Sequence, residues 1–294
     1  MTIYIIANPH AGRHQARLIV ERIKELSSAQ DIKSFYTRYK DDERRQVNTI
    51  LQEFQEKDFL LIIGGDGTLS KVLYYLPENI PFAYYPTGSG NDFARALAIP
   101  SNLNSILTLI QSRSVKEMTV FVYEKGLLLN SLDVGFAAWI IQKAEGSALK
   151  TILNKYHLGR LTYLAVAAKS LFSNPTADIT VKSKDGSIKH YNKSFFFSLA
   201  NNTYFGGGIM IWPTASVFDK KLDFIYARGE TFSRRIRILL ALILKKHQKS
   251  PYLHHEKIEE VSLKMPKDTL IEIDGEIVTT EKITLKAQKR YIYL

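Results

Sequence analysis

Two glycine-rich turns and one Asp-Gly turn hold the residues whose types and spacing could do chemistry. In Leu60-Leu61-Ile62-Ile63-Gly64-Gly65-Asp66-Gly67-Thr68-Leu69-Ser70 an apolar strand ends in a tight turn, and a helical pattern begins. Glycines there let the backbone approach a ligand closely. The helix start behind them offers unpaired amides and a positive dipole end, which suit phosphate. A carboxylate beside such a site, here Asp66, is useful through Mg²⁺. An ordinary strand-to-helix turn is the plain alternative. The second turn, Tyr85-Pro86-Thr87-Gly88-Ser89-Gly90-Asn91-Asp92-Phe93-Ala94-Arg95, brackets a serine with two glycines, and Asn91 or Asp92 can cap the helix that follows. A third loop, Asn8-Pro9-His10-Ala11-Gly12, also ends a strand and precedes a helix. Neither Gly-x-x-x-x-Gly-Lys-Ser/Thr nor Gly-x-Gly-x-x-Gly after the first strand occurs, so a Walker-type loop and the usual dinucleotide fingerprint are excluded.

Far downstream, Ile273-Asp274-Gly275-Glu276 runs a strand into Asp-Gly, by itself an ordinary hairpin turn. No Ser/His/Asp set at useful spacing is present. The pair His254-His255 reads as surface histidine.

The elements that must position these residues fall into two groups. The first part alternates strands at Thr2–Ala7, Ile32–Thr37, Phe59–Ile63 and Phe82–Tyr85 with helical patterns at Arg13–Ser28, Asp41–Gln55 and Thr68–Leu76, then from Asn91 and from Leu103. That alternation predicts a parallel sheet covered by helices, an α/β Rossmann-like domain over residues 1–125. Three loops at successive strand ends would then converge on one edge of the sheet, where ligands gather. After about Lys116 strands dominate: Glu117–Tyr123, Leu127–Val134, Ala177–Lys182, Phe195–Ala200, Leu222–Tyr226, Ile258–Lys264, Leu270–Ile273 and Lys282–Leu285. Residues 126–283 therefore read as a mostly antiparallel β-sandwich with helical insertions near Ile140–Phe172 and Ser233–Lys249.

The 294 residues are about twice a typical domain length, and 45% are apolar, enough for two cores. The absence of cysteine removes disulfides, thiolate metal sites and cysteine nucleophiles. The opening Met1-Thr2-Ile3-Tyr4-Ile5-Ile6-Ala7 lacks the form of a signal peptide. The longest purely apolar run, Ile238–Leu244, is far shorter than the ~20 residues that span a bilayer. A net charge of +11 suits nucleic acid, an anionic membrane or a polyphosphate, and charge alone does not choose. No basic run with interleaved aromatics occurs, so nucleic acid is not expected as a partner. Cations flank the apolar stretch from Ser233 to Lys246, which fits either a membrane-facing helix or a buried one with snorkelling lysines. Trp139–Phe172, with Lys143, Lys150, Lys155 and Arg160 interleaved, could wall an acyl-chain cleft or pack the core.

Gly64-Gly65-Asp66-Gly67-Thr68 resembles the nucleotide-binding motif of diacylglycerol kinases, sphingosine kinases and NAD kinases. Pro86–Arg95 and Asn8-Pro9-x-x-Gly12 are similar to the lipid-kinase branch, and the likeness runs through almost the whole chain. It implies ATP contacts at Asn8, Pro9, Gly12, Gly64, Gly65, Asp66, Gly67, Thr68, Gly88, Ser89, Asn91 and Asp92, with Thr37 added at the end of the second strand. It implies that the C-terminal 284–294 can return to the first domain. Asp133-Val134-Gly135-Phe136 and Asn201–Gly208 look like family segments. Asp274 matches the catalytic aspartate, expected to take the proton of a lipid hydroxyl. Glu276 would orient the site or support a metal, and Asp66 would place the Mg²⁺ that travels with ATP. Pro213–Asp223 resembles a structural Mg²⁺ loop using Asp219 and the carbonyls of Ser216 and Lys221, although Lys220 stands where the family usually has glycine. The resemblance thus implies a lipid kinase using ATP and Mg²⁺ at the cytoplasmic, inner face of the membrane, touching it peripherally, with diacylglycerol the default acceptor. Edge pairing of the second domain could give a homodimer. An NAD kinase and a non-catalytic nucleotide- or lipid-binding regulator are the alternatives. The family's downstream Asn-Glu segment of NAD kinases is missing, and the intact Asp66 and Asp274 speak against lost activity.

Overall fold

The computed structural model describes residues 1–12, 14–27, 30–145, 166–173 and 175–294. Lys150, Lys155 and Arg160, most of the expected 140–172 insertion, and both ends of the Arg13–Ser28 helix lie outside them. The chain divides into two compact units, residues 1–129 with 288–294, and residues 130–287.

The first unit carries β1 (Thr2–Ala7), α1 (Ala16–Leu26), β2 (Asp31–Tyr36), α2 (Glu43–Leu51), β3 (Phe59–Gly64), α3 (Asp66–Tyr75), β4 (Phe82–Pro86), α4 (Asp92–Ala96), α5 (Leu103–Ser112), β5 (Val115–Tyr123) and β6 (Gly126–Leu128). The second carries β7 (Ser131–Gly135), α6 (Phe136–Glu145), β8 (Ala177–Ser183), β9 (Ile188–Ala200), β10 (Tyr204–Phe205), β11 (Ile209–Met210), β12 (Leu222–Arg228), α7 (Phe232–Ile243), β13 (His254–Ile258), β14 (Val261–Lys264), β15 (Leu270–Ile273) and β16 (Glu276–Thr279). The last strand, β17 (Lys282–Tyr293), begins in the second unit and ends in the first.

In the first unit β2, β1, β3, β4 and the end of β17 lie side by side and parallel. The central strand β3 is buried along its whole length, as a parallel strand covered on both faces must be. α1 buries Ala16, Val20 and Ile23, a stripe at helical spacing, against Ile3, Ile5 and Phe59 of the sheet. Asn102 caps α5 by accepting the amide of Ser105 at 2.8 Å. The returning strand is pinned by Arg290, whose side chain is fully buried. Its Nη2 donates to the carbonyl of Leu73 in α3 at 2.9 Å and to Gln288 Oε1 at 2.8 Å.

The second unit is an antiparallel arrangement in the order β16-β15-β7-β9-β8-β14-β17, with β12 between β9 and β13. Its core gathers Phe136, Phe195, Phe196, Trp212 and Ile225 beneath α7 residues Ile238, Ala241 and Leu242. The α/β domain followed by an antiparallel sheet domain is thus present as the alternation of patterns implied.

Two expected strands are each broken in two. Leu127–Val134 divides into β6 and β7 around Leu129 and Asn130, and Ile258–Lys264 divides into β13 and β14 at Glu259 and Glu260. Apolar runs hide such breaks because the flanking residues still suit a strand; only the partner strands show where pairing changes. The β10–β11 hairpin over Gly206-Gly207-Gly208 has no alternation long enough to be read from sequence. Replacing Arg290 with Ala should cost about 2–4 kcal/mol, from lost buried hydrogen bonds and an unfilled space. Urea unfolding measures it, and a loss below about 0.5 kcal/mol would show that the strand is held by other contacts.

Candidate active site

β1, β3 and β4 end in register, with Ala7 beside Ile63, Ile63 beside Tyr85 and Gly64 beside Pro86. Their loops therefore leave the same edge of the sheet, as expected, and they touch backbone to backbone. Gly12 sits at φ +53, and a Cβ there would stand 1.9 Å from the carbonyl oxygen of Thr87. A Cβ on Gly88 would stand 2.6 Å from the Cα of Gly65. The Thr87 amide donates to the Gly64 carbonyl at 2.8 Å. Any side chain at Gly12 or Gly88 would push the loops apart.

Side chains complete the lock. Asn8 donates from Nδ2 to Thr68 Oγ1 at 2.9 Å, while its Oδ1 accepts the amide of His10 at 2.9 Å. Asp66, in the first turn of α3, accepts the amide of Asp92 on Oδ2 at 2.7 Å. That bond corrects one expectation. Neither Asn91 nor Asp92 caps α4 with its own side chain. Asn91 takes a left-handed backbone, φ 52, and turns its Nδ2 to the Gly88 carbonyl at 2.8 Å, so the α4 amide is capped from a neighbouring loop by Asp66. Asp92 instead pairs with Arg95, whose Nη2 reaches the Gly90 carbonyl at 3.0 Å.

Thr37, buried at the end of β2, donates its amide to the Ala7 carbonyl at 3.0 Å. Pro9 is half-buried, and Gly67 and Ser89 are exposed on the turns. Asp66 Oδ1, Thr87 Oγ1 and Asn91 Oδ1 are shielded from solvent with no hydrogen-bond partner among the described residues. Buried polar atoms are rarely left so. The two acceptor oxygens suit a cation or a hydroxyl or amine donor, while the helix amides suit phosphate. Burial, aided by the negative charge of Asp92, raises the Asp66 carboxyl to about 6. An approaching cation would favour its charged form. The turn residues expected at a nucleotide are thus placed together at the sheet edge within the first unit.

The second unit builds a separate acidic cluster. Ile273 and Glu276 pair across a two-residue turn in which Asp274 and Gly275 both have positive φ, 49 and 93. This is the hairpin geometry that Asp-Gly favours. Asp274 Oδ1 accepts the amides of Asn130 at 2.7 Å and Ser131 at 3.2 Å, and its own amide donates to the Ser131 carbonyl at 3.1 Å. Asn130 is itself a hub, for its carbonyl takes the amides of Asn201 at 2.8 Å and Asn202 at 3.0 Å. Glu276 is exposed at the start of β16.

Beneath the turn lie two carboxyls to which sequence reasoning assigned no role. Asp133 and Glu272 face each other across β7 and β15, both essentially without solvent exposure. Glu272 accepts the Gly275 amide, and Asp133 accepts the Ser131 hydroxyl at 2.6 Å. Burial, then the charge of Asp133, pushes Glu272 well above the glutamate range, and burial raises Asp133 as well. Burial and mutual repulsion disfavour ionising both, so the folded pair favours retaining a proton that the unfolded chain releases. The available signal was a charged residue at the inward phase of an apolar strand, Leu270-Ile271-Glu272-Ile273.

At the loop expected to hold a structural Mg²⁺, the side chains make contacts within the protein. Asp219, its single carboxylate ligand, is engaged by the ammonium of Lys257, and the Ser216 carbonyl accepts the Asp219 amide at 2.9 Å. Lys221 points its ammonium toward Glu259, 3.4 Å away. A cation of the protein's own already neutralises the carboxylate. His255, read as surface histidine, bonds to buried Asp223 at 2.6 Å and stacks on Trp212 with ring centres 4.1 Å apart. A histidine pair in sequence cannot reveal a carboxylate on the adjacent strand.

Gly12→Ala should destabilise the chain by about 2–4 kcal/mol through strain and overpacking, while Gly67→Ala, whose Cβ would meet nothing within 4 Å, should be tolerated. Urea titration of the two variants separates these outcomes. Glu272 governs a pH dependence. Its folded pKa lies above the ordinary 4.5, so the folded form holds more protons as pH rises past that value. The contribution of Glu272 to stability is then full below pH 4.5 and is lost as pH rises toward the folded pKa. Glu272→Gln, which replaces the retained proton with an amide donor, should flatten unfolding free energy between acidic and alkaline buffer. Parallel slopes for the two proteins would exclude the retained proton.

Comparison with known proteins now adds to this geometry. Residues 2–123 match the diacylglycerol kinase catalytic domain, and residues 139–291 match the YegS C-terminal NAD kinase beta sandwich-like domain. YtlR of Bacillus subtilis (strain 168), a candidate lipid kinase by its name, is 26% identical, covering 96% of this chain and 95% of its own. A diacylglycerol kinase of Staphylococcus saprophyticus is 25% identical, covering 92% and 88%. Among solved structures, a diacylglycerol kinase from Bacillus anthracis str. Sterne has the same fold with TM-score 0.68 at 17% identity, covering 99% of this chain and 96% of that one. An NAD kinase from Archaeoglobus fulgidus reaches TM-score 0.50 at 13% identity, covering 100% and 94%. No helix among the described residues is long and apolar enough to cross a membrane. With both of its parts matched in order along the chain, this protein belongs to the diacylglycerol kinase catalytic-domain family.

Proposed function

We propose that the chain is an ATP-dependent lipid kinase that phosphorylates a lipid hydroxyl, with diacylglycerol as acceptor and phosphatidic acid as product. The observation that carries this reading is the backbone contact of the three glycine-lined loops at one sheet edge, with acceptor oxygens on Asp66 and Asn91 that have no partner among the described residues. Helix α3 begins at that edge, where its first amides have no intrahelical partners and can receive phosphate oxygens.

In this reading MgATP is the co-substrate, its metal offsetting charge on the β- and γ-phosphates. Asp66 and Asn91 hold the ligand side of the loops, and Asn8 and Thr68 keep the first loop on α3. The lipid hydroxyl oxygen forms a bond to the γ-phosphorus as the bond to the ADP oxygen breaks. Asp274 takes the hydroxyl proton. The amides of Asn130 and Ser131 fix its carboxylate, and Glu276 contributes charge beside it. Glu272 and Asp133, retaining a proton below, place less negative charge against that carboxylate than two ionised groups would.

The test is to offer γ-labelled ATP with mixed micelles of diacylglycerol, and separately with NAD. Label should enter phosphatidic acid. Asp274→Asn should lower kcat by about 10²–10⁴-fold with little change in KM for ATP, the range for loss of a general base. Label in NADP instead, or an unimpaired Asp274→Asn, would overturn the assignment.

A further inference from the structure

Helix α7 divides its apolar residues between two faces. Ile238, Ala241 and Leu242 are buried in the core, whereas Leu240, Ile243 and Leu244 lie outward, 46%, 45% and 56% exposed. At the start of the helix Phe232, also exposed, packs its ring on Phe172, the most exposed aromatic among the described residues at 76%, with centroids 4.8 Å apart. Large apolar groups at both ends of one outward surface are not explained by packing within the chain.

The charge around them has one sign. From Glu230 to Lys249 the chain has six cations, Arg234, Arg235, Arg237, Lys245, Lys246 and Lys249, against the single carboxylate of Glu230, which pairs with Arg234. Arg235 adds the sharper observation. Its Nε and Nη1 are shielded from solvent and have no hydrogen-bond partner among the described residues, and its guanidinium carbon lies 5.8 Å from the Phe232 ring centre. A guanidinium donates in a planar fork that matches phosphate oxygens, so a shielded, unpaired fork points to an anion.

We propose that the outward face of α7, with Phe172, docks on an anionic phospholipid surface. Phe172, Phe232, Leu240, Ile243 and Leu244 enter the interface, Arg235 receives a headgroup phosphate, and Arg237, Lys245 and Lys246 meet the surrounding negative charge. An amphipathic helix with a cationic margin lies in the plane of such an interface. A neutral protein partner would leave the excess of cations over the single carboxylate unanswered, and a soluble phosphate would leave the exposed aromatics unexplained. The inference gives the lipid-kinase reading its route to substrate, but binding is read without nucleotide or turnover, so either can fail alone.

The full chain is sedimented with vesicles of phosphatidylcholine, or of equal phosphatidylcholine and phosphatidylglycerol. It should pellet with the mixed vesicles only and be released by salt. Arg237→Gln should weaken binding about fivefold, as for one surface cation. The triple change Leu240→Ser, Ile243→Ser and Leu244→Ser, all at exposed positions, should abolish pelleting while leaving the unfolding midpoint in place. Equal binding to both vesicle types, unaltered binding by the triple variant, or a dimer in solution that the triple variant converts to monomer would overturn the proposal.

Discussion

The candidate site depends on a steric constraint, the approach of three loop backbones to within contact of one another at the edge of a parallel sheet. Gly12 lies under the Thr87 carbonyl and Gly65 lies against Gly88, with no room for a Cβ on Gly12 or Gly88. Interiors at this packing density do not yield to an added methyl without moving neighbours. The contact brings the first turn of α3 and the turn before α4 together, and it lets one carboxylate serve both. Asp66 begins α3 and caps α4, and burial beside Asp92 raises its pKa toward neutrality. A group held this way responds to any charge that arrives at the loops.

The second unit solves a different problem, the placing of a carboxylate at the tip of a hairpin. The Asp-Gly turn supplies the backbone shape and two amides orient Asp274. By favouring retention of a proton, burial of Asp133 and Glu272 lowers the negative charge beneath the turn relative to two ionised carboxylates. Had both been ionised, their repulsion would have fallen on the strand pair that carries the turn. Buried ionisable groups are kept only where partners and protons compensate them, and here both devices operate.

Two carboxylates at the β12 side of the second unit also meet basic side chains from the neighbouring strand. Lys257 reaches Asp219 from β13, a strand beside β12 but distant in sequence from the loop. His255, also on β13, bonds to Asp223 of β12. Both pairings depend on how antiparallel β12 and β13 are set beside each other, and both place a basic side chain against a carboxylate.

Much was legible in the residues alone. Strand–helix alternation established the parallel α/β sheet, because hydrophobic period follows directly from which faces are buried. Glycines at Gly12, Gly65 and Gly88 marked the converging loops, since a residue without a side chain is needed where backbones meet. The apolar stretch of α7 and its flanking cations were visible too, but which apolar residues face outward was not. What only tertiary structure decided were the long-range partners: Asp66 on the Asp92 amide, Asp133 against Glu272, Asn130 and Ser131 on Asp274, Lys257 on Asp219. Local sequence sets backbone preference and face periodicity, whereas register between distant strands sets which charges meet. A carboxylate's chemistry follows from that neighbour, and the neighbour is chosen by the fold.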